Sequence, residues 1–388
     1  MVIRVSKPEI NLREKLSQLE LPVGPYGSSL MRSDDKMEAA KIVGVGRKNM
    51  IRNGNFIVNQ KGTTTFSNVS SGRIFDGYYL HDSSNGSISA TITQATPYPP
   101  ECSQYLEIAC TGTDNNLTST QYVSLSCSIE GYHFQQAMWG TRHAKDLTLS
   151  FYHKHTRPGV YSGCFRDAGG SDYNYIFEYT QEQADTWELA EIQVIGPTLN
   201  AWPTDNGKAL NLNWSLADES HVSDNINKWF AGAYYHGSTR QINFMTSTDN
   251  RFRITAIQLE VGKGKTPFDD IGYEAMLAWC QRYYQQIVGH SDMVCVGPGR
   301  CNGTTNVPFS VPLSVPLRAS PTINSCNFAA FTATNQANIS NHTPAVTKWD
   351  ATNNVLTLQV SGLSGMTNAR AANMFLNSSH TLSMSAEL

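Results

Sequence analysis

The sequence predicts a mainly β protein: an N-terminal helical anchor at 1–48, an antiparallel jelly-roll sandwich at 49–270, a short linking helix at 271–289 and a small C-terminal β domain at 290–388. Charged residues make up only 16% of the chain, against roughly 25% in average globular proteins. Asn, Thr, Ser and Gly take their place, which favours strands and turns over helical bundles. From Asn49 to Phe268 the chain then reads as short alternating segments separated by Gly, Asn and Pro. With 17 Tyr, 15 Phe and 7 Trp there is enough aromatic volume to fill such cores, and the net charge of −3 argues against disorder.

The first 49 residues hold 15 charged side chains and the last 101 hold seven, so the ends differ in physical role. Ser6 and Glu9 form a capping box with Pro8 in the first turn, and Ile10, Leu12, Leu16 and Leu19 follow as an apolar stripe. So short a helix cannot bury its own stripe. It is expected either to dock on another protein as an anchor or to fold back on its own domain. The glycines of "VGVG" before Arg47 lack the strand, spacing and downstream acid of a dinucleotide site.

The sandwich strands are "NFIVNQ", "SISATITQAT", "YVSLSCSI", "DLTLSFYHKH", "YIFEYT", "ELAEIQVI", "ALNLNWSL" and "RFRITAIQLEV". "GKGKTP" is the exit turn, and Asp269 or Asp270 is placed to cap the next helix. Within that helix Met276, Cys280, Tyr283 or Tyr284, and Ile287 recur at three- and four-residue steps, giving one buried face. Beyond Gly289, the prolines of "VPFSVPLSVPLRASPTI" point to edge strands or extended chain. "NVLTLQVSGL" and "TLSMSAEL" read as further strands.

A small net charge is unlike a nucleic-acid binder, no apolar run reaches the ~20 residues of a membrane span, and "MVIRVSKPEI" lacks a secretory h-region. The expectation is a chain made in a cytoplasm, with no nucleic-acid partner and no membrane insertion. Eight irregularly spaced cysteines without Cys-x-x-Cys are expected as free thiols.

Several stretches resemble a module of bacteriophage tail and fibre proteins. "KNMIRNGNFIVNQKG" carries its Asn-Gly-Asn-Phe (Asn53, Gly54, Asn55, Phe56) and Gln-Lys-Gly (Gln60, Lys61, Gly62) elements. "LTLSFYHKH", "DTWELAEIQVIG" and "ALNLNWSLA" are similar to its middle strands, and "ITAIQLEVGKGKTPFDD…CQRYY" to its closing strand and helix. "VPLRASPTI" is similar to the element that follows, with Leu317 in place of methionine, and "SKPEINLREKL" resembles the N-termini of virion proteins from T7-like marine phages. One departure is "IFDGYYL" where the module often has Ala-Asp-Arg-Trp, so Tyr78 or Tyr79 is expected to fill that core position. The resemblance implies a carbohydrate-binding-module-like jelly roll on a homotrimeric fibre of the virion. Its N-terminal segment would attach to tail or other virion proteins, and host surface glycan would be a partner.

Catalysis is not expected. Asp269 and Asp270 read as helix caps, and Glu178, Glu182, Asp185, Glu188 and Glu191 are explained by strand alternation and a turn. Parallel β-helix repeats are absent from the sequence. His153 and His155 share one face of a strand and could meet a metal about a threefold axis, although an outward polar pair is ordinary there. No cofactor is required, but calcium could be held by Asn53, Asn55 and Glu260 where first and last strands pair. Among aromatics, Trp187 and Trp279 sit in patterned elements and read as core. Trp202, Tyr98 and Tyr173 lie in polar loops and are the candidate sugar contacts. The functional expectation is a homotrimeric tail fibre for host attachment. A capsid decoration protein or head fibre is the first alternative and an envelope polysaccharide hydrolase the second.

Overall fold

The computed structural model describes residues 48–94, 99–170, 172–232, 234–290, 293–349, 354–377 and 380–388. The anchor stripe Ile10, Leu12, Leu16 and Leu19 lies outside the described residues, as does Tyr98. Residues 49–388 form one compact unit.

Its first part contains β1 (Thr65–Phe66), β2 (Ser71–Arg73), β3 (Tyr78–Asp82), β4 (Ser87–Thr93), β5 (Tyr105–Gly112), β6 (Tyr122–Glu130) and a one-turn helix α1 (Gly131–Phe134). There follow β7 (Leu147–His155), β8 (Gly159–Asp167), β9 (Tyr173–Gln181), β10 (Glu188–Val194), β11 (Lys208–Asp218), β12 (Trp229–Ala231) and β13 (Arg251–Val261). A six-stranded sheet in the order β1-β4-β5-β13-β7-β10 faces a seven-stranded sheet in the order β12-β9-β8-β11-β6-β3-β2, and their strand pairs are antiparallel. The chain crosses repeatedly between the two, as a jelly roll does. Side chains alternate along each strand. Leu147, Leu149 and Phe151 of β7 therefore meet Leu210, Leu212 and Trp214 of β11 in one core, with the Phe151 and Trp214 rings edge-on at 5.6 Å. Tyr78 is fully buried and fills the position left by the departure at "IFDGYYL".

The same alternation turns His153 and His155 inward, not outward as a surface metal pair would require. His155 is stacked between Tyr161 at 3.5 Å and Phe252 at 4.6 Å. His153 donates from Nδ1 to Gln181 Oε1 at 3.1 Å. Burial lowers the His153 pKa to about 4 and drives that of His155 well below the usual histidine value.

The linking helix α2 spans Tyr273–Gln281 and is shorter than expected, because the chain becomes strand β14 (Tyr284–Val288) immediately afterwards. Gly272, with φ 78°, is its N-cap, and no side chain caps it. Asp269 instead accepts from the Asn49 backbone N–H at 3.0 Å, and Asp270 from that of Gly272 at 3.0 Å. Met276, Trp279, Cys280 and Tyr283 close over Val58 in a small separate core.

The C-terminal part has β15 (Val294–Arg300), β16 (Val307–Pro312), β17 (Thr322–Ile323), β18 (Cys326–Phe331), β19 (Gln336–His342), β20 (Ala345–Lys348), β21 (Val355–Val360), β22 (Ala371–Leu376) and β23 (Thr381–Ser385). A seven-stranded sheet runs β19-β18-β22-β15-β16-β21-β20, and β14-β23-β17 make a three-stranded one. The proline-bearing β16 is not at an edge: it lies between β15 and β21. It pairs with β21 over six residues but with β15 only through Gly299 and Phe309. That side makes few ladder bonds, so the missing N–H groups of Pro308 and Pro312 are tolerated. All eight cysteines are free thiols.

Candidate functional site

Strand register places a polar lattice on the outer face of the seven-stranded sandwich sheet. One rung runs Ser71–His81–Ser124–Ser215–Ser162–Glu178 across six strands. The next runs Arg73–Tyr79–Ser126–Asn213–Cys164–Ile176, and a third Ser128–Asn211–Arg166–Asn174. The sequence origin is plain: "YVSLSCSI" and "ALNLNWSL" alternate apolar residues with Ser and Asn, so one face is core and the other is hydroxyl and amide.

The loop between β12 and β13 covers the first rung. Gln241 donates to Ser215 Oγ at 2.9 Å and Ser238 N–H to Ser162 Oγ at 2.9 Å, while Arg240 Nε pairs with Glu178 at 2.9 Å. The other two rungs stay half-open on the β2–β3–β6–β11 side. There Arg73, Tyr79, Ser126, Ser128, Lys208 and Asn211 line a cleft of about 230 Å³. Ser128 donates to Asn211 Oδ1 at 2.9 Å and Asn211 to Asn213 at 3.2 Å, which fixes the amide orientations. Lys208 makes no ion pair among the described residues. Burial, followed by the charges of Arg73, Arg166 and Arg318, lowers its pKa. Next to Asn211 in register, the Arg166 guanidinium lies 4.0 Å from the centre of the exposed Tyr234 ring. The cleft thus offers directed amides and hydroxyls, one aromatic face and the Lys208 ammonium, while Arg73 is held by Glu387 and by Leu388, which also lines it. Such a set can hold a polyhydroxylated ligand.

Of the predicted sugar contacts, Trp202 and Tyr173 fall elsewhere, and Tyr98 lies outside the described residues. Trp202 is only 7% exposed, packed with Phe134, Trp139 and Trp229 at 5.0–5.7 Å, so its loop does not offer the ring to solvent. Tyr173 is half-buried and stacked on Trp229 at 5.6 Å. Trp279 is core, whereas Trp187 is half-buried against Tyr105 at 5.4 Å.

The calcium set is not assembled into an oxygen cage. The Asn53 amide donates to Val58 O and Asp76 O and accepts from Val58 N–H at 2.9–3.1 Å. Glu260 accepts from Gln258, Thr266 N–H and Thr266 Oγ1 at 2.8–2.9 Å. Asn55 is buried, and its Oδ1 has no hydrogen-bond partner among the described residues. Among the acids weighed for hydrolysis, Glu178 pairs with Arg240, Asp185 with Arg253 at 2.8 Å, and Glu188 closes a turn on the N–H groups of Glu182 and Gln183.

No protein-family model matches the chain, and no curated protein matches its sequence. Solved structures do. The enzymatically active domain of tailspike protein 4 of bacteriophage CBA120 matches at 11% identity and TM-score 0.31, over 55% of this chain and 21% of that one. The family 11 carbohydrate-binding module of a Clostridium thermocellum cellulosomal cellulase matches at 13% and 0.27, over 50% and 96%. TmCBM61, solved with β-1,4-galactotriose, matches at 10% and 0.29, over 55% and 99%. The chain therefore spans about a fifth of the tailspike domain and nearly all of the two modules. At these TM-scores no residue role is carried over from them. No helix of the described residues is long and apolar enough to cross a membrane.

Proposed function

We propose that the chain is a non-enzymatic structural protein of a phage virion, a homotrimeric tail fibre that attaches the particle to a host surface glycan. The observation that carries the glycan reading is the half-open polar lattice beside Tyr79, where oriented amides, hydroxyls and an aromatic face converge. Tyr79 would stack on the C–H face of a sugar ring, and Asn211, Ser126 and Ser128 would meet its hydroxyls. Lys208 favours a glycan bearing an acidic group, whereas Arg73 is already engaged by Glu387 and the Leu388 carbonyl. The virion role is supported by the likeness of the Asn53–Gly62 and Gln258–Tyr284 stretches to phage fibre modules. In that role, segment 1–48 is the attachment to the particle. Three weak sites on one rigid trimer would bind with avidity.

The test is binding of the full chain and its Tyr79→Ala variant to an array of host envelope glycans, alongside immunogold labelling of particles. The expectation is at least a tenfold loss in the variant, or about 1.4 kcal/mol per site, with label on tails. Equal binding by both proteins would move the contact off this face. Label spread over heads would favour a decoration protein, and released reducing ends would favour a hydrolase.

A further inference from the structure

We propose that Asp218, His221 and His236 form a binding site for one divalent transition-metal ion of the zinc class, which clamps the loop after β11 to the end of that strand. The proposal is independent of the glycan reading. Asp218 is the last residue of β11, and its carboxylate is buried. Oδ1 accepts the backbone N–H groups of Ser220 at 3.1 Å and His221 at 2.9 Å, so a turn fixes its direction. His221 Nδ1 lies 3.2 Å from Oδ1, and His236 Nδ1 lies 2.8 Å from Oδ2. One ligand atom from each of the three residues falls within 4.8 Å of the others.

Zinc–nitrogen and zinc–oxygen bonds are about 2.0–2.2 Å, so two ligands of one ion stand roughly 3–3.5 Å apart. The two carboxylate–imidazole spacings are close to that, and the set, held within 4.8 Å, must draw together to complete the shell. The histidines are pre-positioned by the backbone. His236 N–H donates to His221 O at 2.8 Å, and Ser223 N–H to Gly237 O at 3.0 Å. Their rings rest against Tyr122, at 4.2 Å for His236 and 5.5 Å for His221.

Two imidazoles and one carboxylate suit zinc, nickel or copper, whereas calcium and magnesium require oxygen cages. Asp218 also contributes to the wall of a polar pocket of about 560 Å³ containing Asn115, Asn116 and Asn243. The pocket gives an ion access, with room for water in the remaining coordination positions. The rival arrangement is a carboxylate that merely accepts two Nδ1–H bonds.

The experiment is calorimetric titration of the chelator-stripped full chain with zinc chloride and, separately, calcium chloride, with the absorption spectrum of a cobalt(II) complex as a second readout. The expected result is one zinc per chain, no calcium binding in the same range, and cobalt bands of mixed nitrogen–oxygen ligation. His221→Ala, at a side chain 27% exposed, should keep the circular dichroism of the parent and weaken zinc at least tenfold. No zinc binding by the folded parent would overturn the proposal, as would zinc binding or cobalt bands unchanged in both His221→Ala and His236→Ala.

Discussion

Gly54 shows why a signature residue need not be a ligand contact. A Cβ there would sit 2.1 Å from the carbonyl oxygen of Ile257, and the Gly54 carbonyl accepts the Ile257 N–H at 3.0 Å. The backbone of 49–54 lies against a bulge in β13, where Ala256 has φ 50°. Gly54→Ala must therefore push two main chains apart, with an expected loss of roughly 2–4 kcal/mol. Gly72→Ala meets nothing within 4 Å and should fall within about 0.5 kcal/mol of the parent. Urea midpoints of the two variants test the contrast. The neighbouring signature residues are structural too: Gln60 donates to Asp76 from its backbone at 2.9 Å and from its side chain at 2.6 Å. The pattern of "NGNF…QKG" was legible in the sequence, but its purpose as a folded corner was not. Contacts across two hundred residues leave no local mark.

At the scale of elements, β7 carries a pH dependence into the sandwich core. Its two histidines are neutral in the folded chain and protonate more readily once unfolded, where their pKa returns to about 6.5. Between pH 6.5 and 4 the unfolded state binds more protons, so stability is full above 6.5 and declines as pH falls through that window. His153 alone accounts for a loss on the order of 3 kcal/mol by pH 4. His155→Phe preserves a ring between Tyr161 and Phe252 and removes Nδ1, a buried atom without a hydrogen-bond partner. Its stability should fall less between pH 7 and pH 5 than the parent's in paired urea titrations. An equal fall would place the proton uptake elsewhere. Alternation in "LTLSFYHKH" gave the shared face of the histidines. Which face was inward depended on the opposing sheet, whose Tyr179 and Tyr161 meet the His153 and His155 rings.

The described residues hold two large cores, one of residues 50–259 and one of 296–386, joined through the small core under α2. Charges bury themselves at this joint. Glu130 accepts Arg282 at 2.6 and 3.0 Å and the Tyr283 hydroxyl. Arg52 stacks 3.7 Å from the Tyr283 ring centre and pairs with Glu387 at 2.6 Å, tying the first loop of the sandwich to the last strand's tail. Burial pushes the Glu387 pKa up, but Arg52 and then Arg73 outweigh it and hold the carboxyl below its usual value. Its stabilisation is therefore present above the ordinary carboxylate pKa and lost as pH falls through the folded value. Arg52→Met would leave Glu387 buried with its main partner gone, an expected loss of roughly 3–5 kcal/mol. Calorimetry should then resolve two transitions where the parent shows one; a single shifted transition would mean that the cores remain coupled without the ion pair.

The mainly β class and the helix after β13 were legible in the chain alone, because alternation, turn residues and a three-to-four apolar step are local properties. The sequence by itself also determined the Ser and Asn rows of β6 and β11, since those alternate with core residues. Tertiary structure decided that these rows line up as a lattice, that the loop after β12 closes one rung and leaves two half-open, and that Trp202 turns inward. It also decided that Asp218 meets His236 and that Arg52 meets Glu387. Each of these depends on strand neighbours distant in sequence, and strand pairing across long loops is set by the burial of the whole core rather than by any short stretch of residues.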